Sequence, residues 1–290
     1  MAKTRESYGM NTALSFPHEE RQAGRPTVRP RPLYSALVSA GAHMGFSAGW
    51  EVPLWFSAPG QSPAYQPSFF RTNWQEEQGR EYSALMEGVV VADISPFGKF
   101  QLSGPDARRL LEVATAGVVP RPGRTSLSHL LTRSATVYGE LTVTCLAPDS
   151  FLLLTGAGSE LHDLRRLQDI ARDEELQLQL ENVTEKLGTL TVAGPKSGEL
   201  MRKICDQEVD NWKFLEARHC TVGGVDCIAI RISYTGELGW ELYPNMENME
   251  KMYRDILDKG AEFDIGHIGT RCINTARIEK GNYRSVTKSD

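Results

Sequence analysis

The sequence predicts an α+β protein built from duplicated split β-α-β (ferredoxin-like) units with mainly antiparallel sheet. Three observations carry this expectation. A strand, a Gly-Pro turn and an amphipathic helix follow one another in FGKFQLSGPDARRLLEVAT and again in GTLTVAGPKSGELMRKI. Looser versions, without the proline, occur in FLLLTGAGSELHDLRRLQDIA and IAIRISYTGELGWELYPNMENMEKMYRDIL. Further strands lie between these units, so strands and helices do not alternate one for one as they do around a parallel sheet.

Taken in order, Met1 to about Pro32 is polar and rich in Arg and Pro, and is expected to wrap a surface or stay loose. In LYSALVSAGAHMGF, Leu33, Leu37 and Ala40 or Gly41 share one helical face. Trp50, Trp55, Phe56, Phe69, Phe70 and Trp74 then crowd a proline-rich stretch that reads as an extended strap. EEQGREYSALMEGVVVADIS reads as a helix followed by a buried strand at Val89 to Ile94. In the two Gly-Pro units the helices present Ala107, Leu110 and Leu111, and Leu200 and Ile204. Proline suits the start of a helix because its missing N–H would be unpaired there anyway. The looser units end in helices carrying Leu161, Leu164 and Leu167, and Met249, Met252, Tyr253 and Ile256.

The bulk numbers narrow the function classes. With 290 residues, 40% hydrophobic and 24% charged, the chain is ordinary for a soluble globular protein of one large or two medium domains. A net charge of −5 with no Lys/Arg run argues against nucleic acid as a partner. No apolar run approaches the length of a membrane span. Five cysteines without CxxC or CxH spacing fit buried thiols in a reducing compartment. The amino terminus lacks a secretory h-region and is a poor mitochondrial presequence, and reads like a chain that begins mid-protein. GxGxxG, P-loop, HExxH and GxSxG patterns are absent, and the six histidines have no ligand spacing, so no metal site is expected.

That leaves acids beside glycines. Glu140, in SATVYGELTVTCL, alternates with Leu141 and Val143, which makes a solvent-facing strand position its plain reading. Glu241, in RISYTGELGWELY, is flanked by Trp240 and Leu242 and preceded by two glycines. A carboxylate beside aromatic surface suits a flat heterocycle with adjacent N–H donors, and the glycines would let such a ring approach the main chain. The first half of this motif alternates like a strand, with Ile232 and Tyr234 on one side.

RISYTGELGWELY resembles the folate-binding motif of the aminomethyltransferase (glycine-cleavage T-protein) superfamily. Together with GWEVPLWF, PSFFRTNW, ISPFGKFQL, VYGELTV and FLLLTGAGSELHDLRRL, it resembles the dimethylglycine dehydrogenase family of animal mitochondria over roughly residues 8 to 281. Sarcosine dehydrogenase and the pyruvate dehydrogenase phosphatase regulatory subunit, a non-catalytic relative, are weaker alternatives.

The resemblance implies the aminomethyltransferase folate-binding fold and a division of labour. An amino-terminal FAD half oxidises dimethylglycine to an iminium. A carboxy-terminal half binds tetrahydrofolate and captures the one-carbon unit as 5,10-methylenetetrahydrofolate. This chain matches the junction (residues 1–75) and the folate half (76–290), without the part that carries FAD. Its small-molecule partners would be a folate and a one-carbon donor, its place the mitochondrial matrix; whether it turns over alone, and any protein partner, stay open. By the same carry-over, Tyr234 and Glu241 contact the pterin. Glu140 stands where the T-protein has an aspartate near folate N5, as the catalytic acid that accepts or relays a proton. The Gly-Gly pair preceding that aspartate is Ala135-Thr136 here, and from Gly281 onward the family pattern is lost.

Overall fold

A computed structural model of the chain describes residues 2–14, 32–62, 64–66 and 68–281. The arginine- and proline-rich run over 15–31 and the divergent end after Gly281 lie outside the described residues. In chain order the first elements are α1 (Ala2–Thr12), α2 (Tyr34–Ser39), β1 (Ala42–Ser47), β2 (Trp50–Phe56), α3 (Trp74–Glu87) and β3 (Val90–Asp93). Next come β4 (Gly98–Ser103), α4 (Ala107–Ala114), β5 (Thr115–Ala116), β6 (Arg124–Leu131), β7 (Val137–Ala147), β8 (Ser150–Thr155), α5 (Glu160–Asp173) and β9 (Gln179–Asn182). The last are β10 (Leu190–Ala193), α6 (Ser197–Ile204), β11 (Ala217–Val222), β12 (Val225–Ile230), β13 (Gly239–Pro244), α7 (Met249–Gly260), β14 (Gly266–His267) and α8 (Thr270–Glu279).

Two six-stranded sheets organise the molecule, in the orders β5-β6-β7-β8-β4-β9 and β11-β12-β13-β10-β3-β14. Every pairing is antiparallel except β14 on β3. In the first sheet, β4-α4-β7-β8-α5-β9 is one split β-α-β unit, and its strands lie in the order β7-β8-β4-β9. In the second, β10-α6-β12-β13-α7 repeats the unit in the order β12-β13-β10, but β3 takes the fourth place. β3 precedes the whole first unit in sequence, so the two copies are interleaved rather than strung in tandem.

The Gly-Pro signal that betrayed the duplication has a backbone cause. Gly104 and Gly194 hold nearly the same conformation, φ +120° and +119°, a region closed to residues with a Cβ. Each ends a strand and turns the chain into a helix whose apolar face covers its own sheet.

Those helices make the outer layers. Leu110 and Leu111 of α4 and Leu167 and Ile170 of α5 bury against Phe100, Val143 and Leu153 of the first sheet. Leu200 and Ile204 of α6 and Met252 and Ile256 of α7 bury against Val192, Trp240 and Leu242 of the second. Between the sheets a smaller cluster joins Leu152 and Leu154 of β8 to Ala217, Ile230 and Tyr243. The layers therefore run helix, sheet, sheet, helix, with opposite faces of β13 serving two different cores.

Of the segment expected as an extended strap, Trp50–Phe56 is instead strand β2, and the rest of its described residues before α3 carry no helix or strand. The partner strand β1 lies in the stretch expected to be helical, where the helix ends at Ser39. The two form a hairpin, paired from Ala42↔Phe56 to Ser47↔Trp50 and closed by Ala48 and Gly49. Its Ala42, Met44 and Phe56 share the core of the second sheet with Leu33 and Leu37. All seven residues of β2 are buried, so both of its faces pack, and Trp50, Trp55 and Phe56 make no period-two pattern that would mark a strand.

Candidate functional site

The inward face of β13 presents the group singled out from the sequence. Strand alternation sends Trp240 and Leu242 toward α6 and α7, and Glu241 and Tyr243 toward the other sheet. Glu241 is 8% exposed and its carboxylate accepts a hydrogen bond from the Tyr243 hydroxyl. The aromatic neighbour of this carboxylate is thus Tyr243, two residues on, and not Trp240, which lies on the opposite face. Gly239 explains the bare backbone before it: a Cβ there would meet the Val192 carbonyl oxygen at 2.8 Å, in the adjoining β10.

Lys99 of β4, fully buried at 0% exposure, lies close enough for its charge to act on the Glu241 carboxyl. Its Nζ donates to the carbonyls of Ser95 and Phe97, both at 2.8 Å. That tight turn is held by Asp93, whose carboxylate accepts from the Ser95 amide at 2.9 Å and the Ser95 hydroxyl at 2.6 Å. Lys99 is paired with Leu154 in register, so both face the second sheet.

Electrostatics follow from the burial. Desolvation pushes the Glu241 carboxyl up to about 7, against the opposing pull of the Tyr243 hydrogen bond and the Lys99 charge. Tyr243 is pushed up in turn, by burial first and then by the neighbouring carboxylate. A carboxylate offers about four lone-pair sites, so one bond from Tyr243 leaves acceptor capacity for two parallel N–H donors.

Tyr234 takes a different position from the one its alternation suggested. β12 stops at Ile230, whose register partner is Glu241, and residues 231–238 form turns rather than strand. The backbone of Arg231 turns to residues 215 and 216, with its N–H donating to Glu216 O and its O accepting from Leu215 N–H, both at 2.9 Å. Tyr234 is half-buried in this loop, and the guanidinium of Arg277, from α8, lies 5.7 Å from its ring centre.

Glu140 lies opposite His129 in the β6–β7 register, and its carboxylate is 3.6 Å from His129 Nε2. Its side chain keeps 40% exposure. On the same face of β7, Thr142 and Thr144 pair with Leu154 and Leu152, which belong to the cluster between the sheets. The outward face of the alternation therefore looks toward the second sheet, becoming more covered from Glu140 to Thr144. The turn leading into β7 contains Ala135 at φ +61°, a left-handed conformation carried by a residue with a Cβ.

Each of the three sequence-derived residues thus has its own neighbours: Glu241 with Tyr243 and Lys99, Tyr234 with Arg277, Glu140 with His129. Sequence reasoning missed Lys99 and Tyr243. Tyr243 was findable, since residues i and i+2 of a strand share a face; Lys99 comes from a strand 142 residues earlier and carried no such signal. A separate open polar cleft of about 1140 Å³, lined by Arg71, Trp74, Gln78, Tyr82 and Thr275 among others, lies along α3 and the segment before it.

Among the described residues, no helix is long and apolar enough to cross a membrane. The GCVT N-terminal domain family matches residues 33–288. The chain is 48% identical over 281 residues to "Dimethylglycine dehydrogenase, mitochondrial" of Homo sapiens, a match covering 96% of this chain and 32% of that protein. It is 31% identical over 283 residues to "4-methylaminobutanoate oxidase (formaldehyde-forming)" of Paenarthrobacter nicotinovorans, covering 97% and 34%. The chain spans about a third of the length of these curated relatives. Among solved structures, the glycine cleavage system aminomethyltransferase T from Bartonella henselae superposes with a TM-score of 0.71, covering 86% of this chain and 62% of that one. At 21% identity, that likeness establishes the fold.

Proposed function

This chain belongs to the GCVT N-terminal domain family, and from that premise we propose that it is a tetrahydrofolate-binding, one-carbon-transfer module of the dimethylglycine dehydrogenase type. The observation that carries the reading is the Glu241 carboxyl: buried between the two sheets, faced by Lys99, and left with acceptor capacity. The exocyclic amine and ring N–H of a pterin are adjacent donors that match it. Lys99 favours the ionised form such bonding needs. Tyr234 and Arg277 are assigned to the rim of the same site, and Glu140 to accepting or relaying the proton at folate N5. Bound tetrahydrofolate would supply the nucleophilic amine that takes the one-carbon unit. The same reading assigns the module to mitochondria, in keeping with the mitochondrial names of its relatives.

Titration calorimetry of the folded chain with tetrahydrofolate tests this. Heat is expected at micromolar-scale affinity, lost in Glu241→Ala with the fold retained; Glu140→Gln should keep binding and slow one-carbon capture. A folded protein giving no heat with any reduced folate refutes the reading. One observation favours a second reading, a regulatory relative that keeps the fold without the reaction: the Glu241 carboxylate already takes a hydrogen bond from its own chain's Tyr243. Under that reading calorimetry is silent, while the chain recovers a stoichiometric protein partner from mitochondrial extract.

A further inference from the structure

We propose that Cys205, Asp206 and Cys220 form a binding site for one thiophilic d¹⁰ cation of the Zn²⁺ class, on the opposite face of the second sheet from Glu241. The spacing of these residues matches no metal motif; the fold brings them together. Cys205 closes α6, its N–H donating to the Met201 carbonyl at 2.9 Å. The chain is then fastened along edge strand β11. Cys205 bridges Val222, the Asp206 N–H donates to the Thr221 carbonyl at 3.0 Å, and the Thr221 N–H returns a bond to Asp206 Oδ1 at 2.9 Å. Cys220, on β11, thereby lies beside Cys205, and across the β11–β12 hairpin it faces Cys227.

The result is a compact donor set. One ligand atom each from Cys205, Asp206 and Cys220 lies within 4.8 Å of the others. Two sulfurs bound to one tetrahedral Zn²⁺, each about 2.3 Å from the metal, are separated by about 3.8 Å, so the set closes on a cation with small side-chain movements. Cys205 is half-buried and Asp206 exposed, which leaves an entry path, while Cys220 is buried against the core under α6 and α7. Two sulfur donors with one carboxylate select a soft or borderline cation over Mg²⁺ or Ca²⁺. Cys227, hydrogen-bonded to Cys220, stands behind the set as a further thiol.

Occupancy would reinforce the bonds that already fasten the end of α6 along edge strand β11. The cation site is independent of folate binding.

Titration of the reduced full chain with Cd²⁺ alone, followed by thiolate-to-cadmium charge-transfer absorbance, tests the site. The expected result is a band saturating at one equivalent, lost in Cys205→Ser and in Cys220→Ser and kept in Cys145→Ser, together with a raised thermal midpoint. In the wild-type chain, which avoids any folding defect of the variants, Zn²⁺ should protect Cys205 from iodoacetamide. Absence of the band, its persistence in the Cys205→Ser/Cys220→Ser double variant, or equal alkylation of Cys205 with and without Zn²⁺ overturns the proposal.

Discussion

Replacing Glu241 by Gln separates what the carboxyl does for the fold from what it does for binding. In the folded chain it titrates at about 7 against an ordinary 4.5, the shift coming mainly from burial. At about 1.4 kcal/mol per pKa unit, keeping it ionised in the folded state costs on the order of 3 kcal/mol. Because the folded value is raised, this penalty is absent below the unfolded value of 4.5, grows as pH rises, and is complete just above 7. Wild type should therefore lose about 3 kcal/mol of stability relative to Glu241→Gln between about pH 4 and pH 8. Glutamine also brings an NH₂ that needs an acceptor, a cost of about 1–3 kcal/mol independent of pH. The diagnostic is the pH dependence of the difference, not its absolute size. Glu81, also pushed up to about 7 by burial, and His267, lowered to about 4 by burial, titrate in both proteins and cancel. Urea denaturation at a series of pH values gives the difference directly. Parallel stability curves would falsify the placement of an ionisable carboxyl in a desolvated site.

Two further outcomes follow from neighbouring positions. Lys99→Met strands the Ser95 and Phe97 carbonyls and removes the charge facing Glu241, so urea denaturation should show a loss of about 3 kcal/mol; coincident midpoints contradict a buried, paired ammonium. Ala135→Gly releases a left-handed residue in an exposed turn, where no packing is lost, and should stabilise by about 0.5–1 kcal/mol, read as a small rise in thermal midpoint; a fall in the midpoint contradicts the strain.

Much of the architecture was legible because the signals were local. The helix faces carrying Leu110 and Leu111, Leu200 and Ile204, and Met252 and Ile256 all bury as their periodicity predicts. The hairpin was misread because β2 is buried on both faces and shows no alternation, and because β1 continues a stretch whose first half is helical. The strand assigned to Ile232 and Tyr234 was misread because a strand also needs a partner, and the register between β12 and β13 runs out at Ile230.

At the candidate site the same division holds. Alternation along GWELYP alone determined that Glu241 and Trp240 occupy opposite faces and that Tyr243 shares the face of Glu241. Which face is buried between sheets, and that the Lys99 charge acts on Glu241 there, depended on packing two interleaved units against each other. So did the gathering of Cys205 and Cys220 at one sheet edge. Periodicity sets the direction of a side chain relative to its own backbone. What that side chain touches is set by contacts between strands far apart in the chain, and no local pattern encodes them.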